Sequence, residues 1–269
     1  MAEHDVKQAL SGGLLRAGAI AALAVTLVAT SFCACLAPSA TEGLSRTFAR
    51  EDVSPFDRNQ LSRVALAVRD YAFGSHSTEA LLRTEYAVNS ELATSRAFAS
   101  GGRASGAPDL SGLDGTESAN ELASALSTAS DVYVLDSEAV SHLDDCNTVA
   151  RVTYPALAVV ALGALVACIH LGRTRGRRAL GGVFVAAAGI VLGALLAAGT
   201  WALIDFYGFF TAFHQLFFSA GTWEFSAQSL LICALPTEFW MGMGAIWLAV
   251  TALAAILLEC TGIALRRAR

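Results

Sequence analysis

Four stretches of the chain stay apolar for about 20 residues or more, the length that crosses a bilayer. They are Ala17–Leu36, Val152–Leu171, Leu180–Leu203 and Phe239–Leu265. Between the first two, residues 37–151 mix short periodic pieces with polar loops. Leu61, Val64, Ala65, Val68, Tyr71 and Ala72 recur at helical spacing and mark one face to be buried. Ser54 followed by Pro55 predicts the start of that helix, and Gly74 predicts its end. Thr41–Val53 shows no period and is expected to be irregular. Glu79–Ala97 predicts a second helix and Glu117–Ala129 a short third one. Residues 100–115, rich in Gly, Ser and Ala, read as a flexible loop. So few large apolar residues do not predict a robust independent core. A small, mostly helical cap resting on the transmembrane bundle is the expected outcome.

Two further patterns flank the middle spans. Asp136 predicts the cap of a helix that continues into the second apolar run. On it, Glu138, His142, Asp145 and Cys146 fall at i, i+4, i+7 and i+8 and share a face. After the third run, residues 204–238 are aromatic rather than merely polar. Phe210, Phe213, His214, Phe217 and Phe218 are spaced as one helical stripe, with His214 inside it. Trp223, Pro236 and Trp240 follow, and such rings suit the membrane–water interface.

Charge orients these segments. Hydrophobic residues make up 55% of the chain and charged ones 15%, a membrane-protein composition. Arg173, Arg175, Arg177 and Arg178 crowd residues 172–179, and Arg266, Arg267 and Arg269 follow the fourth run. Lys7 and Arg16 precede the first. Positive residues stay in the cytoplasm. Residues 1–16, 172–179 and 266–269 are therefore expected inside, and 37–151 and 204–238 outside. The fold class is an α-helical integral membrane protein with four transmembrane helices and an extracytoplasmic cap. The first run reads as an uncleaved anchor, because it is long for a signal-peptide core and lacks a small-residue cleavage site. The net charge of −5 comes without a basic patch, which excludes nucleic acid as a partner.

Six cysteines do not form a disulfide framework, since most lie in or beside spans. Cys33, Cys168 and Cys260 read as small packing residues. Cys146 and Cys233 both fall outside, where a bridge can persist, yet spacing alone does not pair them.

Chemistry rests on the two outer histidines. His142 lies shortly before the second span and His214 shortly after the third, so both are expected at one depth. An imidazole there is either a packing residue or an acid–base group. Three functional classes fit: a proton-transfer enzyme, a zinc hydrolase using both histidines with Asp145 or Glu138, and a non-enzymatic membrane partner. The zinc reading lacks a His-Glu-x-x-His helix, and no Gly-x-Ser-x-Gly nucleophile elbow occurs. A transport path would require polar groups within the spans, which are mostly Ala, Leu, Val and Gly.

The stretch SEAVSHLDDC, followed by FFTAFHQLFFSAGTWEFSAQSLLICALPTEFW, resembles the bacterial lipoprotein intramolecular transacylase family (Lit). The shared elements are His142–Leu143–Asp144–Asp145, Phe213–His214–Gln215–Leu216–Phe217–Phe218, Trp223, and Leu235–Pro236–Thr237–Glu238–Phe239. Tyr71 resembles a tyrosine of the family's outer segment, while Cys146 stands where the family carries an aliphatic residue. The resemblance implies transfer of the sn-2 acyl chain of a diacylglyceryl-cysteine to its own α-amine. It implies His142 and His214 as catalytic groups, with Tyr71, Glu138, Asp145 and Trp223 binding substrate or supporting them. No metal and no cofactor are called for. Expected partners are diacylglyceryl-modified lipoproteins and membrane lipid, around a monomer in the bacterial cell membrane.

Overall fold

The computed structural model describes the backbone of residues 2–99 and 104–268, and side chains over 12–95 and 104–268. The Lys7 side chain, Arg269 and the first residues of the Gly/Ser loop, 100–103, lie outside the described residues. Among the described residues the regular structure is wholly helical.

Among the described residues, four helices are long and apolar enough to cross a membrane. They are α1 (Ala2–Cys35), whose apolar part begins at Gly12, α6 (Ser137–Thr174), α7 (Gly176–Ile204) and α10 (Thr237–Arg267). Each contains one expected apolar run, except that α1 stops at Cys35 rather than Leu36. The chain divides into two compact units. The first comprises Met1–Cys35, Arg151–Thr211 and Ala245–Arg269.

Within this first unit, small residues bring the helices together. A Cβ on Gly181 would lie 2.5 Å from the Gly262 carbonyl oxygen, so α7 and α10 cross with backbones nearly touching. Only glycine permits that approach, the usual device for helix association in lipid. Ala188, Val191, Leu195 and Ala255 form the adjoining buried cluster, and the Trp247 indole donates to the Val28 carbonyl at 3.1 Å. The α6–α7 connection is closed by Gly176 at φ +79°, a left-handed conformation that glycine adopts without steric cost. Leu162, Val166, Leu196, Leu253 and Leu257 remain exposed, which suits contact with hydrocarbon rather than water.

The second unit, Leu36–Ala150 with Ala212–Gly244, departs from expectation in three ways. Thr41–Val53 is not irregular throughout: α2 (Pro38–Phe48) occupies most of it. Its buried residues are Thr41 and Ser45, and the Ser45 hydroxyl donates to the Ala234 carbonyl at 3.1 Å. With small hydroxyl residues beside Leu44 on its inner face, this helix lacks the row of large apolar residues that marks α3. Next, α3 (Arg58–Phe73) starts at Asp57, not Ser54. Asp57 accepts from the Asn59 and Gln60 amides while Gln60 accepts from the Asp57 amide, a complete capping box. Ser54 instead shapes the turn that buries Phe56. The predicted face of α3 is buried at all six positions.

The third departure is the core. Phe56, Leu61, Val64, Val68, Val88, Leu126 and Leu143 are joined by Leu230, Leu231, Leu235 and Phe239. The segment after the third span therefore supplies the apolar volume that residues 37–151 lack. Three more helices complete this side of the chain, α4 (Thr78–Ala99), α5 (Ala119–Leu126) and α9 (Leu230–Ala234). Within the described part of the Gly/Ser loop, Ala104, Ala107 and Leu110 pack on the core. The Arg83 guanidinium holds the Gly115 carbonyl at 2.8 Å.

The turn before α6 is fixed from α4. Glu85, 4% exposed, accepts the Leu135 amide at 2.6 Å, and the Asn89 amide donates to the Tyr133 carbonyl at 2.9 Å. Burial raises the Glu85 carboxyl to about 7, against a smaller opposing effect of the Leu135 hydrogen bond.

Candidate active site

The site is set by where α6 begins. The Asp136 carboxylate accepts the Ala139 amide at 2.8 Å, the N-cap that the sequence predicts. Ala139 and Leu143, one turn apart, are buried in the core and fix the rotation of the helix. His142 is thereby aimed into an aromatic nest. Its ring lies 4.8 Å from Phe218 and 5.7 Å from Phe225, centroid to centroid.

The second imidazole comes from α8 (Phe206–Gln215), a separate helix that starts after α7 ends at Ile204. The expected single stripe does not continue to Phe218, because α8 stops at Gln215. Instead the Phe217 and Phe218 amides both donate to the His214 carbonyl, at 3.0 and 2.8 Å. This turn folds Phe218 back to 5.8 Å from the His214 ring, so one phenylalanine touches both imidazoles. Trp223, buried, covers His214 at 4.8 Å. The His142 and His214 rings are 6.3 Å apart at an interplanar angle of 27°.

The other predicted site residues are placed differently. Glu138 and Asp145 are both exposed. Glu138 lines an open cleft of about 200 Å³ with Asp131, Asp136, Glu224 and Phe225. Phe225 is thus shared between that cleft and His142. Tyr71 is engaged away from the imidazoles: its hydroxyl donates to Asp144 at 2.8 Å. His76, at φ +54°, packs its ring at a tilt against Tyr71, 4.3 Å between centroids, and places its Nε2 3.6 Å from Asp144. Asp144, two residues beyond His142, points to α3, a partner that helical spacing does not reveal. Cys146 meets His142 directly, with Sγ 3.7 Å from Nε2. Cys146 and Cys233 are both free thiols. Among the described residues no three His, Cys, Asp or Glu side chains converge as a metal-ligand set.

In such a pair one imidazole can take and return a proton near neutral pH while the other, kept from water, stays neutral and offers a hydrogen bond. Charging both is disfavoured by their proximity and by removal from water. The pair therefore suits a reaction that moves one proton between two substrate atoms.

Residues 118–240, which contain both histidines, Trp223 and Phe225, match the family model of the lipoprotein intramolecular transacylase Lit. The chain resembles the Lit family. Its fold is similar to that of the membrane integral Lit from Bacillus cereus solved in meso, with a TM-score of 0.64 and 14% identity over 94% of each chain. A second structure of Bacillus cereus Lit, carrying a histidine-to-alanine mutation, gives a TM-score of 0.58 at 14% identity. It covers 97% of this chain and 96% of that one. No curated protein matches the sequence. The structural likeness carries the fold, and the sequence match spans α5 through the start of α10. Tyr71 lies outside the Lit-matching segment.

Proposed function

We propose that the chain is a lipoprotein intramolecular transacylase, moving the sn-2 acyl chain of a diacylglyceryl-cysteine onto its own α-amino group. The observation that carries this reading is the His142–His214 pair at 6.3 Å, inside the segment that matches Lit. The α-amine, with an ordinary pKa of about 7.7–8.0, must be unprotonated to attack. Its nitrogen bonds to the ester carbonyl carbon, giving a tetrahedral oxyanion. The bond from that carbon to the sn-2 oxygen then breaks. One proton leaves nitrogen and one arrives at the glyceryl oxygen, so the products are an amide and a free hydroxyl. No acyl-enzyme is required, since nucleophile and ester belong to one molecule and proximity is built into the substrate. Phe213, Leu216 and Phe217, exposed beside His214, offer apolar surface to lipid chains. Trp223 holds the His214 ring; Glu138 and Asp145 act from the rim on the polar part of the substrate; Tyr71 acts through Asp144 on α6.

The enzyme works as a monomer in the bacterial cell membrane, with both histidines on the extracytoplasmic face. The arginines at residues 173–178 and 266–267 support this orientation. Reporter fusions after Gly106 and Ala220 are expected to read extracytoplasmic, and one after Arg175 cytoplasmic. A cytoplasmic reading at Gly106 would place the histidines on the wrong side for lipoproteins. The reaction itself is tested with purified protein and a synthetic diacylglyceryl lipopeptide bearing a free N-terminus. Mass spectrometry should show an isobaric product whose acyl chain has become amide-linked and resistant to mild base. Failure to form it, with protein folded and inserted, rejects the proposal.

A further inference from the structure

The thiol of Cys146 is the sole side-chain atom for which a hydrogen bond to the His142 ring is seen among the described residues, at 3.7 Å from Nε2. The opposite ring nitrogen, Nδ1, is buried and has no hydrogen-bond partner among the described residues. These two facts assign different work to the two edges of one imidazole. In a neutral histidine one nitrogen carries the proton and the other a lone pair, and the contact made by one decides the state of the other. A thiol with an ordinary pKa of about 8.5 is chiefly S–H at neutral pH. Its sulfur is a weak acceptor, whereas an imidazole lone pair is a good one. The favoured arrangement is therefore S–H donating to Nε2, which leaves the proton on Nδ1.

We propose that Cys146 is a positioning residue that holds His142 in the Nδ1–H tautomer, so that Nδ1–H, covered in the resting protein, donates a hydrogen bond to the tetrahedral oxyanion once bound substrate displaces the groups over it. This rests on the transacylase reading above and divides labour between the histidines. His142 stays neutral throughout and stabilises charge that develops on the carbonyl oxygen. His214 takes the proton from the attacking nitrogen and returns it to the departing sn-2 oxygen. The balance closes: one N–C bond forms, one C–O bond breaks, one proton passes through His214, and Cys146 and His142 end as they began. A buried N–H without an acceptor costs free energy in the resting protein. The oxyanion removes that cost in the transition state, which is the condition for an interaction to raise the rate rather than merely to bind.

The test combines tautomer and rate. Full-length protein with ¹⁵N-labelled histidine, in detergent micelles, should show the Nδ1–H pattern for His142, assigned by its loss in His142→Gln. Cys146→Ala removes the donor and should move His142 toward Nε2–H. It should also lower kcat about 3- to 10-fold, the worth of one modest hydrogen bond, with KM little changed. Cys146→Ser, which keeps a donor, should restore both the tautomer and the rate to within about twofold. An Nε2–H pattern in the unmodified protein overturns the proposal, as does a Cys146→Ala protein that keeps Nδ1–H. Equal losses in the Ser and Ala variants also overturn it. Full acyl transfer by His142→Gln would defeat the transacylase roles instead, and the tautomer spectra would still decide the part played by Cys146.

Discussion

His214→Ala and His142→Ala are each expected to leave a folded, membrane-inserted protein while lowering acyl transfer by ~10²-fold or more, the usual worth of a positioned acid, base or donor. The folded state should survive because neither ring belongs to the buried core built by Leu143, Leu230 and Phe239. Both rings are partly exposed and sit in an aromatic rim. The double variant should fall little further than the worse single one, because groups that serve one transition state fail together rather than additively. The assay is conversion of the diacylglyceryl lipopeptide to its N-acylated lyso form. An N-acetylated lipopeptide supplies the chemical control: its nitrogen lone pair is tied up in an amide, so no product should appear with any variant. Chelators should leave the rate unchanged, since proton transfer and hydrogen bonding alone carry the steps. Full activity in the double variant would return both imidazoles to packing, and loss on chelation would revive the zinc reading.

Much of this was legible from periodicity. The four apolar runs, the buried face of α3 and the Asp136 cap all follow from local rules, and all are present. Three features were not legible, each for a physical reason. The helix Pro38–Phe48 buries Thr41 and Ser45 beside Leu44, so its inner face is half polar and a search for large apolar residues passes over it. The cap's core depends on Leu230, Leu231 and Phe239, more than a hundred residues from α3, and local composition cannot count distant contributions. At the site, spacing shows which residues share a face of α6 but not which element comes to meet each face. Asp145 shares a face with His142 and is exposed, whereas Asp144, off that face, is the carboxylate that takes the Tyr71 hydroxyl. The aromatic stripe shows the same limit of spacing. Its period ran past Gln215, where α8 ends in a turn on the His214 carbonyl, and that turn lets Phe218 touch both rings.

The remaining large effect concerns Glu85, which ties the site's geometry to pH without touching it. Its carboxyl, 4% exposed, is raised from 4.5 to about 7 by burial. The sign follows from proton counts. Between about pH 4.5 and 7 the folded protein holds a proton on Glu85 that the unfolded chain has released, so raising the pH favours unfolding. The stabilisation is complete below the unfolded pKa and is lost as pH rises through about 7. Its size is at most on the order of 3 kcal/mol. Glu85→Gln keeps an oxygen for the Leu135 amide and removes the titration. The Gln variant should therefore melt at nearly the same temperature from about pH 5 to about pH 8, and above the unmodified protein at the upper end. Glu85→Ala should be less stable than Gln at every pH, by ~1–3 kcal/mol, because a buried N–H is left unpaired. Thermal unfolding in micelles, followed by tryptophan fluorescence, separates the three proteins. A melting temperature of the unmodified protein that rises with pH relative to Glu85→Gln would refute the assignment. Leu135 directly precedes the Asp136 cap, and the cap fixes where α6, the helix that carries His142, begins. The same carboxyl should therefore appear twice, as a stability loss and as a fall in acyl transfer on the alkaline side that Glu85→Gln abolishes.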